Sequence, residues 1–291
     1  MAISNMTNSE RNPQARQMGD ESMARNLAWQ AQAIWPQEQA LFERYRLSGA
    51  LRILDLGCGT GEITRRLADL YPQARIVGID ILDSNLALAR RDSTAYADRI
   101  EYAVGDAFAL KHGDAEFDLV VCRHMSQAVP HFDQVLGEIG RVLRSGGWLH
   151  LLSEDYAMLR MPRHRAAGRA TSAAAGRDFD PDRFWVDHAL PFLESIDCDG
   201  RVGRHSPTLL EQRGYADLAV DYVIVDTLRV PRATFANILV AWRDGFAPVL
   251  AETTGRPLDA VRADFDTMIA DVSTPPNYVV WHVPVISGRR P

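Results

Sequence analysis

Asp55-Leu56-Gly57-Cys58-Gly59-Thr60-Gly61-Glu62 is the stretch whose reading decides the fold. Ahead of it, Arg52 to Leu56 has the continuous apolar texture of a buried strand; behind it, Ile63 to Leu70 has helical spacing. Three glycines two apart therefore fill a strand-to-helix turn, where they let the backbone turn tightly and a ligand come close to the main chain. A dinucleotide fingerprint would place glycine at position 62. Glu62 stands there instead, and a carboxylate at a helix N-terminus repels a pyrophosphate but suits a ligand carrying cationic groups. The loop favours a nucleoside without phosphates.

Outward from this turn the same alternation repeats. Arg75 to Ile79, Ile100 to Val104, Asp118 to Cys122 and Trp148 to Ser153 read as strands, with helices at Ser84 to Arg91 and Phe132 to Leu143 between them. Ser145-Gly146-Gly147 is expected to end the last of these helices. Helix-turn-strand spacing returns in LLEQRGYADLAVDYVIV (209–225), followed by amphipathic stretches at Arg232 to Glu252 and Leu258 to Ile269 and a closing strand at Tyr278 to Ile286. Upstream, Met23 to Arg46 reads as two helices divided at Pro36. The expected fold is α/β: a doubly wound, mostly parallel seven-stranded sheet with an N-terminal helical flap and a helical cap insertion. The expected divisions are a flap at 1–48, a nucleoside-binding core at 49–156, a cap at 157–206, and a second part of the core at 207–291 with a helical insertion at 232–272.

Asp80 follows Gly61 by nineteen residues at the end of the second strand, where a carboxylate accepts hydrogen bonds from both ribose hydroxyls. Gly105-Asp106-Ala107-Phe108 ends the third strand; Asp106 is placed to accept from an adenine amino group, with Phe108 or Ile81 against the ring. ILDLGCGTGEI (53–63), GID (78–80), VGDA (104–107) and SGGWL (145–149) together resemble the class I S-adenosylmethionine-dependent methyltransferases, over roughly residues 50–155 and the terminal strands. That resemblance implies S-adenosylmethionine as cofactor. It implies that Gly57, Cys58, Gly59 and Gly61 border the methionine part, with Asp55 near its amino acid. It also implies that Asp80 holds the ribose and Asp106 the adenine, with Ile81, Ala107 and Phe108 among the cofactor residues.

Ligands of such sheets lie beyond the carboxyl ends of the strands, which draws attention to Arg123, His124 and Met125 and to Glu154, Asp155 and Tyr156. His124 is the candidate general base, because histidine ordinarily ionises near neutral pH; capping the turn or packing on the cofactor is the rival role. Glu154 and Tyr156 complete the catalytic candidates. Arg123 is grouped with the cofactor residues, and either anchors a carboxylate or pairs with Asp118 or Glu154. Glu154 and Asp155 are neighbours in the chain and must point to different sides. Trp29, Trp185 and Trp242 are expected to enclose a small organic acceptor; the arginines at 160, 163, 165, 169 and 177 either attract an anionic one or belong to a solvated loop.

Composition narrows the partners. The 291 residues carry a formal charge of −6, which disfavours a nucleic-acid binder. Cys122-Arg123-His124-Met125 lacks the Asn/Asp-Pro-Pro-aromatic turn of nucleobase amino-methyltransferases. Three scattered cysteines offer neither a disulfide framework nor a zinc site, and no metal is expected. A single lysine, Lys111, leaves almost no candidate for Schiff-base chemistry. The first twenty residues are polar without a signal-like apolar core, and no apolar run approaches a membrane span. A cytoplasmic protein is expected, with a small-molecule methyl acceptor, no nucleic acid, no membrane, and a homodimer as its candidate assembly. O- or N-methylation is favoured; a protein side chain as acceptor, or a non-catalytic cofactor-binding subunit, stays open.

Overall fold

A computed structural model describes residues 6–161 and 179–291. Its sheet is built from β1 (Arg52–Leu56), β2 (Arg75–Asp80), β3 (Ile100–Val104), β4 (Phe117–Arg123), β5 (Leu143–Leu152), β6 (Leu159–Arg160), β7 (Ala216–Asp226) and β8 (Val280–Arg289). The order is β3-β2-β1-β4-β5-β8, with β7 on the far side of β8. The first five strands run parallel, and β8 runs antiparallel to both β5 and β7. The two-residue β6 pairs Leu159 with Trp281, on the same edge of β8 as β5. It therefore continues the β5 line and leaves seven strand positions across the sheet.

Helices cover both faces, as the near-continuous burial along β1, β2 and β4 requires. Ile53, Ile76 and Val121 face one side, under Ile63 and Leu67 of α4 (Glu62–Leu70). Leu54, Leu56, Val120 and Cys122 face the other, under Phe132, Val135, Leu136 and Ile139 of α6 (Phe132–Val142). α5 (Asp83–Asp92) links β2 to β3. A third cluster holds Trp185, Trp242, Phe265 and Trp281. It joins α3 (Glu21–Glu38), α7 (Leu190–Ser195), α9 (Arg232–Thr254) and α10 (Leu258–Ser273) to the β7–β8 end of the sheet. Two short helices, α1 (Asn8–Arg11) and α2 (Ala15–Met18), precede α3, and α8 (Val202–Gln212) leads into β7.

Two local expectations are corrected. Pro36 does not divide the N-terminal helix: α3 runs through it to Glu38 and continues as a 3-10 turn over Gln39–Tyr45. Proline's fixed φ is itself helical, and in the last turn it costs one hydrogen bond, while Met23, Asn26, Gln30 and Ile34 keep one face buried. The Ser145-Gly146-Gly147 turn does not end α6 either. That helix stops at Val142, and Leu143 is already extended and opens β5. Of the expected cap, 162–178 lies outside the described residues, and with it Arg163, Arg165, Arg169 and Arg177. Arg160 pairs with Asp182 at 3.2 Å. No helix among the described residues is long and apolar enough to cross a membrane.

Candidate active site

Beyond the carboxyl ends of β1, β2 and β4 lies a cleft lined by Gly57, Gly59, Asp80, Ile81, Leu82, Asn85, Arg123, His124 and Met125. The glycine loop is pinned from below, since the N–H groups of Gly57 and Cys58 both donate to the Ile79 carbonyl, at 2.8 and 3.0 Å. Gly57, Gly59 and Gly61 all adopt positive φ, between 53° and 76°, which explains the choice of glycine. Asp80 locks the loop to β2. Its Oδ2 accepts from Gly59 N–H at 2.8 Å and its Oδ1 from Leu82 N–H at 2.9 Å. Each carboxylate oxygen can accept more than one hydrogen bond, so Asp80 can still accept from a ligand beside these N–H groups.

The remaining cofactor candidates sit around this cleft without lining it. Asp55 is buried, accepts from the Thr64 hydroxyl at 2.6 Å, and is pushed up by burial to about 6. The Cys58 thiol turns back against Gly78, and burial raises it well above the usual range. Gly61 packs against Tyr102 and Ala89. Ala107 and Phe108 pack on the α6 cluster, and Asp106 accepts from Phe108 N–H at 3.0 Å while pairing with Arg11 at 2.8 Å. Glu62 does not wait for a cationic ligand, because Arg65 and Arg66 already neutralise it at 2.7 and 2.6 Å.

The end of β4 is where chemistry gathers. His124 takes a left-handed φ of 51°, held by its N–H to the Leu152 carbonyl and by the Gln127 side chain on its own carbonyl at 2.7 Å. Such a backbone is uncommon for a residue with a side chain and marks a position set by its surroundings. Its Nδ1 meets Glu154 Oε1 at 2.6 Å, whereas Nε2 is buried without a partner. Glu154 and Asp155 do diverge: Asp155 is fully buried in an ion pair with Arg204. Arg123 pairs with neither Asp118 nor Glu154 but with Glu38 of α3, Nε to Oε1 at 2.7 Å.

The aromatic candidates lie elsewhere. Tyr156 stacks on Trp185, ring centroids 5.6 Å apart, beside a small separate hollow. Trp185 and Trp242 are packed at 2 and 4% exposure inside the third core cluster, and Trp29 lies against that cluster half-buried. The N-terminal flap lines the cleft through residues that no sequence pattern singles out: Asn12, Gln14, Ala15, Met18 and Leu27. A larger hollow, about 370 Å3, opens between Phe42–Gly49 and Leu70–Gln73, beside the starts of β1 and β2. It lies at the wrong end of the strands for a ligand of this architecture.

A family model for a methyltransferase domain matches residues 53–147. The core is a class I S-adenosylmethionine-dependent methyltransferase domain. Over 101 residues the chain is 40% identical to a demethylmenaquinone methyltransferase of Deinococcus radiodurans, covering 35% of this chain and 42% of that one. Over 180 residues it is 31% identical to a trans-aconitate 2-methyltransferase of Variovorax paradoxus, covering 62% and 60%. The chain thus spans about half the length of the curated relatives it matches. In fold it is similar to phosphoethanolamine N-methyltransferase 2 of Haemonchus contortus, solved with phosphomonomethylethanolamine and S-adenosylhomocysteine. That likeness has a TM-score of 0.59 at 16% identity and covers 98% of this chain and 61% of that one. The methyltransferase domain's loop fits a nucleoside sulfonium: it offers acceptors at Asp80, and Glu62 stands where a dinucleotide-binding loop has its last glycine.

Proposed function

We propose that this protein transfers a methyl group to a small organic acceptor, with His124 as the proton acceptor. The observation that carries this is the His124–Glu154 contact at 2.6 Å beside a buried, unpartnered Nε2 in a residue that lines the cleft. A carboxylate on Nδ1 fixes the tautomer with its proton there, leaving Nε2 as the free base, and stabilises the imidazolium once a proton is taken. S-adenosylmethionine, when bound, supplies an electrophilic methyl on a good leaving group. The chain's own task is alignment, water exclusion and proton removal. Asp80 would hold the ribose hydroxyls, and the glycine loop would admit the ligand close to the main chain. Asp106 would serve the adenine, as the resemblance implies.

The flap supports a small acceptor over a protein side chain, because Gln14, Met18 and Leu27 roof the cleft with residues of the same chain. Oxygen or nitrogen acceptors are favoured, since a base is needed where the acceptor arrives protonated. The experiment is a metabolite-extract screen with methyl-labelled S-adenosylmethionine, reading S-adenosylhomocysteine release and the labelled product by mass. Label found on a small molecule supports the reading; label found only on protein, or no turnover alongside a stable hetero-complex, rejects it.

A further inference from the structure

Arg123 is 7% exposed in its side chain and lines the cleft, yet its guanidinium is only partly used. Nε donates to Glu38; Nη2 is buried with no partner. A charged donor left unpaired at that depth is unfavourable, so an acceptor belongs there. Glu38 does not supply it: its Oε1 takes both Arg123 Nε and His150 Nε2, at 2.7 and 3.0 Å, while its equally buried Oε2 makes no hydrogen bond and leaves Nη2 unmet. Its fully buried carboxylate is held at about 2 because these two partners outweigh the effect of burial. His150 Nδ1 in turn meets the Tyr45 hydroxyl at 2.6 Å, with Phe42 stacked on the imidazole at 4.2 Å. Tyr45, His150, Glu38 and Arg123 form a buried chain that aims one guanidinium and balances its charge. Asp55 feels the same cation, but its bonded partner is the Thr64 hydroxyl.

We infer that Arg123 is the anchor of a carboxylate subsite in the cleft and that Glu38 is its positioning residue. The inference rests on the methyltransferase reading for the identity of the carboxylate's owner. That owner is either the amino-acid end of the cofactor or an acceptor that is itself a carboxylic acid. A guanidinium presents two parallel donors to such a group, which a lysine ammonium does not.

The test compares the wild type with the double variant Arg123→Gln/Glu38→Gln, which leaves neither charge buried alone, and with Arg123→Lys, which keeps the ion pair to Glu38. Calorimetry measures S-adenosylhomocysteine against its decarboxylated analogue. Thermal shifts measure succinate and citrate, each with and without S-adenosylhomocysteine. If the cofactor owns the carboxylate, the wild type prefers S-adenosylhomocysteine by about 10–100-fold, the size of a charge-assisted bond. The double variant then loses most of that preference and Arg123→Lys part of it. If the acceptor owns it, all proteins bind both nucleosides alike, and the carboxylates raise the melting temperature of the wild type but not of the double variant. Variants that keep the wild-type preference and the wild-type carboxylate response overturn the inference, as does a wild type with neither. Should S-adenosylhomocysteine fail to bind the wild type at all, the methyltransferase reading falls, and the carboxylate arm without nucleoside decides Arg123 alone.

Discussion

The Arg11 guanidinium stands 2.8 Å from the Asp106 carboxylate and ties the N-terminal flap to the loop after β3. Asp106 is the group that the resemblance assigns to adenine, and here a cationic side chain of the protein itself pairs with it. Leu27 presses on the glycine loop: a Cβ at Gly59 would lie 2.5 Å from its Cδ1. The cleft keeps only about 90 Å3 of room, against roughly 300 Å3 or more for sites that hold drug-sized ligands. We therefore expect the flap to move when a nucleoside enters.

Arg11→Ala should ease that movement. A partly exposed ion pair contributes about 0.2–1 kcal/mol, so S-adenosylhomocysteine should bind up to about fivefold tighter, mostly through a faster on-rate. Stopped-flow binding at low and high salt reads it, and the wild-type rate should rise with salt towards that of the variant. A variant that binds more weakly would show Arg11 to be a ligand contact instead of a latch.

Asp80→Ala should cost on the order of 2–4 kcal/mol of cofactor affinity through two lost charge-assisted bonds. It should also loosen the loop, because the same carboxylate holds the N–H groups of Gly59 and Leu82. Asp80→Asn separates the two effects, since one amide oxygen retains part of the loop contact. Calorimetry gives the affinity and hydrogen exchange of the Gly59 amide gives the loop. Unchanged affinity in the alanine variant would remove Asp80 from the cofactor site.

These residues also show what the sequence could reveal. The strand-end carboxylates and the glycine loop were legible because local spacing sets them: a strand, a turn and a helix place Gly57, Gly59 and Asp80 within one short segment. His124 and Glu154 were legible singly, as residues after β4 and β5, but their contact depends on the parallel pairing of those strands. Glu38 and Arg11 were not legible at all. They reach the site from helices 85 and 95 residues away in the chain from Arg123 and Asp106 respectively, and no period or motif encodes such docking. The packing of the tryptophans was not legible for the converse reason, since an aromatic residue outside a strand pattern looks the same whether it lines a pocket or fills a helical core.

Asp55 gives a pH signature. Burial lifts its carboxyl from 3.8 to about 6, while Thr64 and Arg123 pull the other way. The folded protein then binds more protons than the unfolded chain between about pH 4 and 6, so this group's contribution to stability is present below that window and lost as pH rises through it. Asp55→Asn keeps an oxygen for the Thr64 hydroxyl but cannot ionise. Its stability relative to wild type should improve between pH 4 and 7 by up to about 3 kcal/mol, from 1.36 kcal/mol per unit. Urea melts at both pH values measure it, and a pH-independent difference would mean that Asp55 is not buried as a charge.

The dyad at the end of β4 makes the most exacting prediction. His124 sits at positive φ, where asparagine is better tolerated than alanine, so His124→Asn is the variant least disturbing to the fold. It should lower turnover about 10²–10⁴-fold, the usual magnitude for loss of a general base, while S-adenosylhomocysteine affinity barely moves. Glu154→Gln leaves an oxygen for the Nδ1 proton but removes the charge that stabilises the imidazolium, and should cost less, about tenfold or somewhat more. Because Glu154 acts through His124, the double variant should be no slower than His124→Asn alone. Additive losses would show that Glu154 has a separate role. His124→Gln gives the last discrimination: its side chain can still position an acceptor by hydrogen bonding but cannot take a proton. If it retains most of the wild-type rate, His124 orients the acceptor and the reaction proceeds by alignment alone.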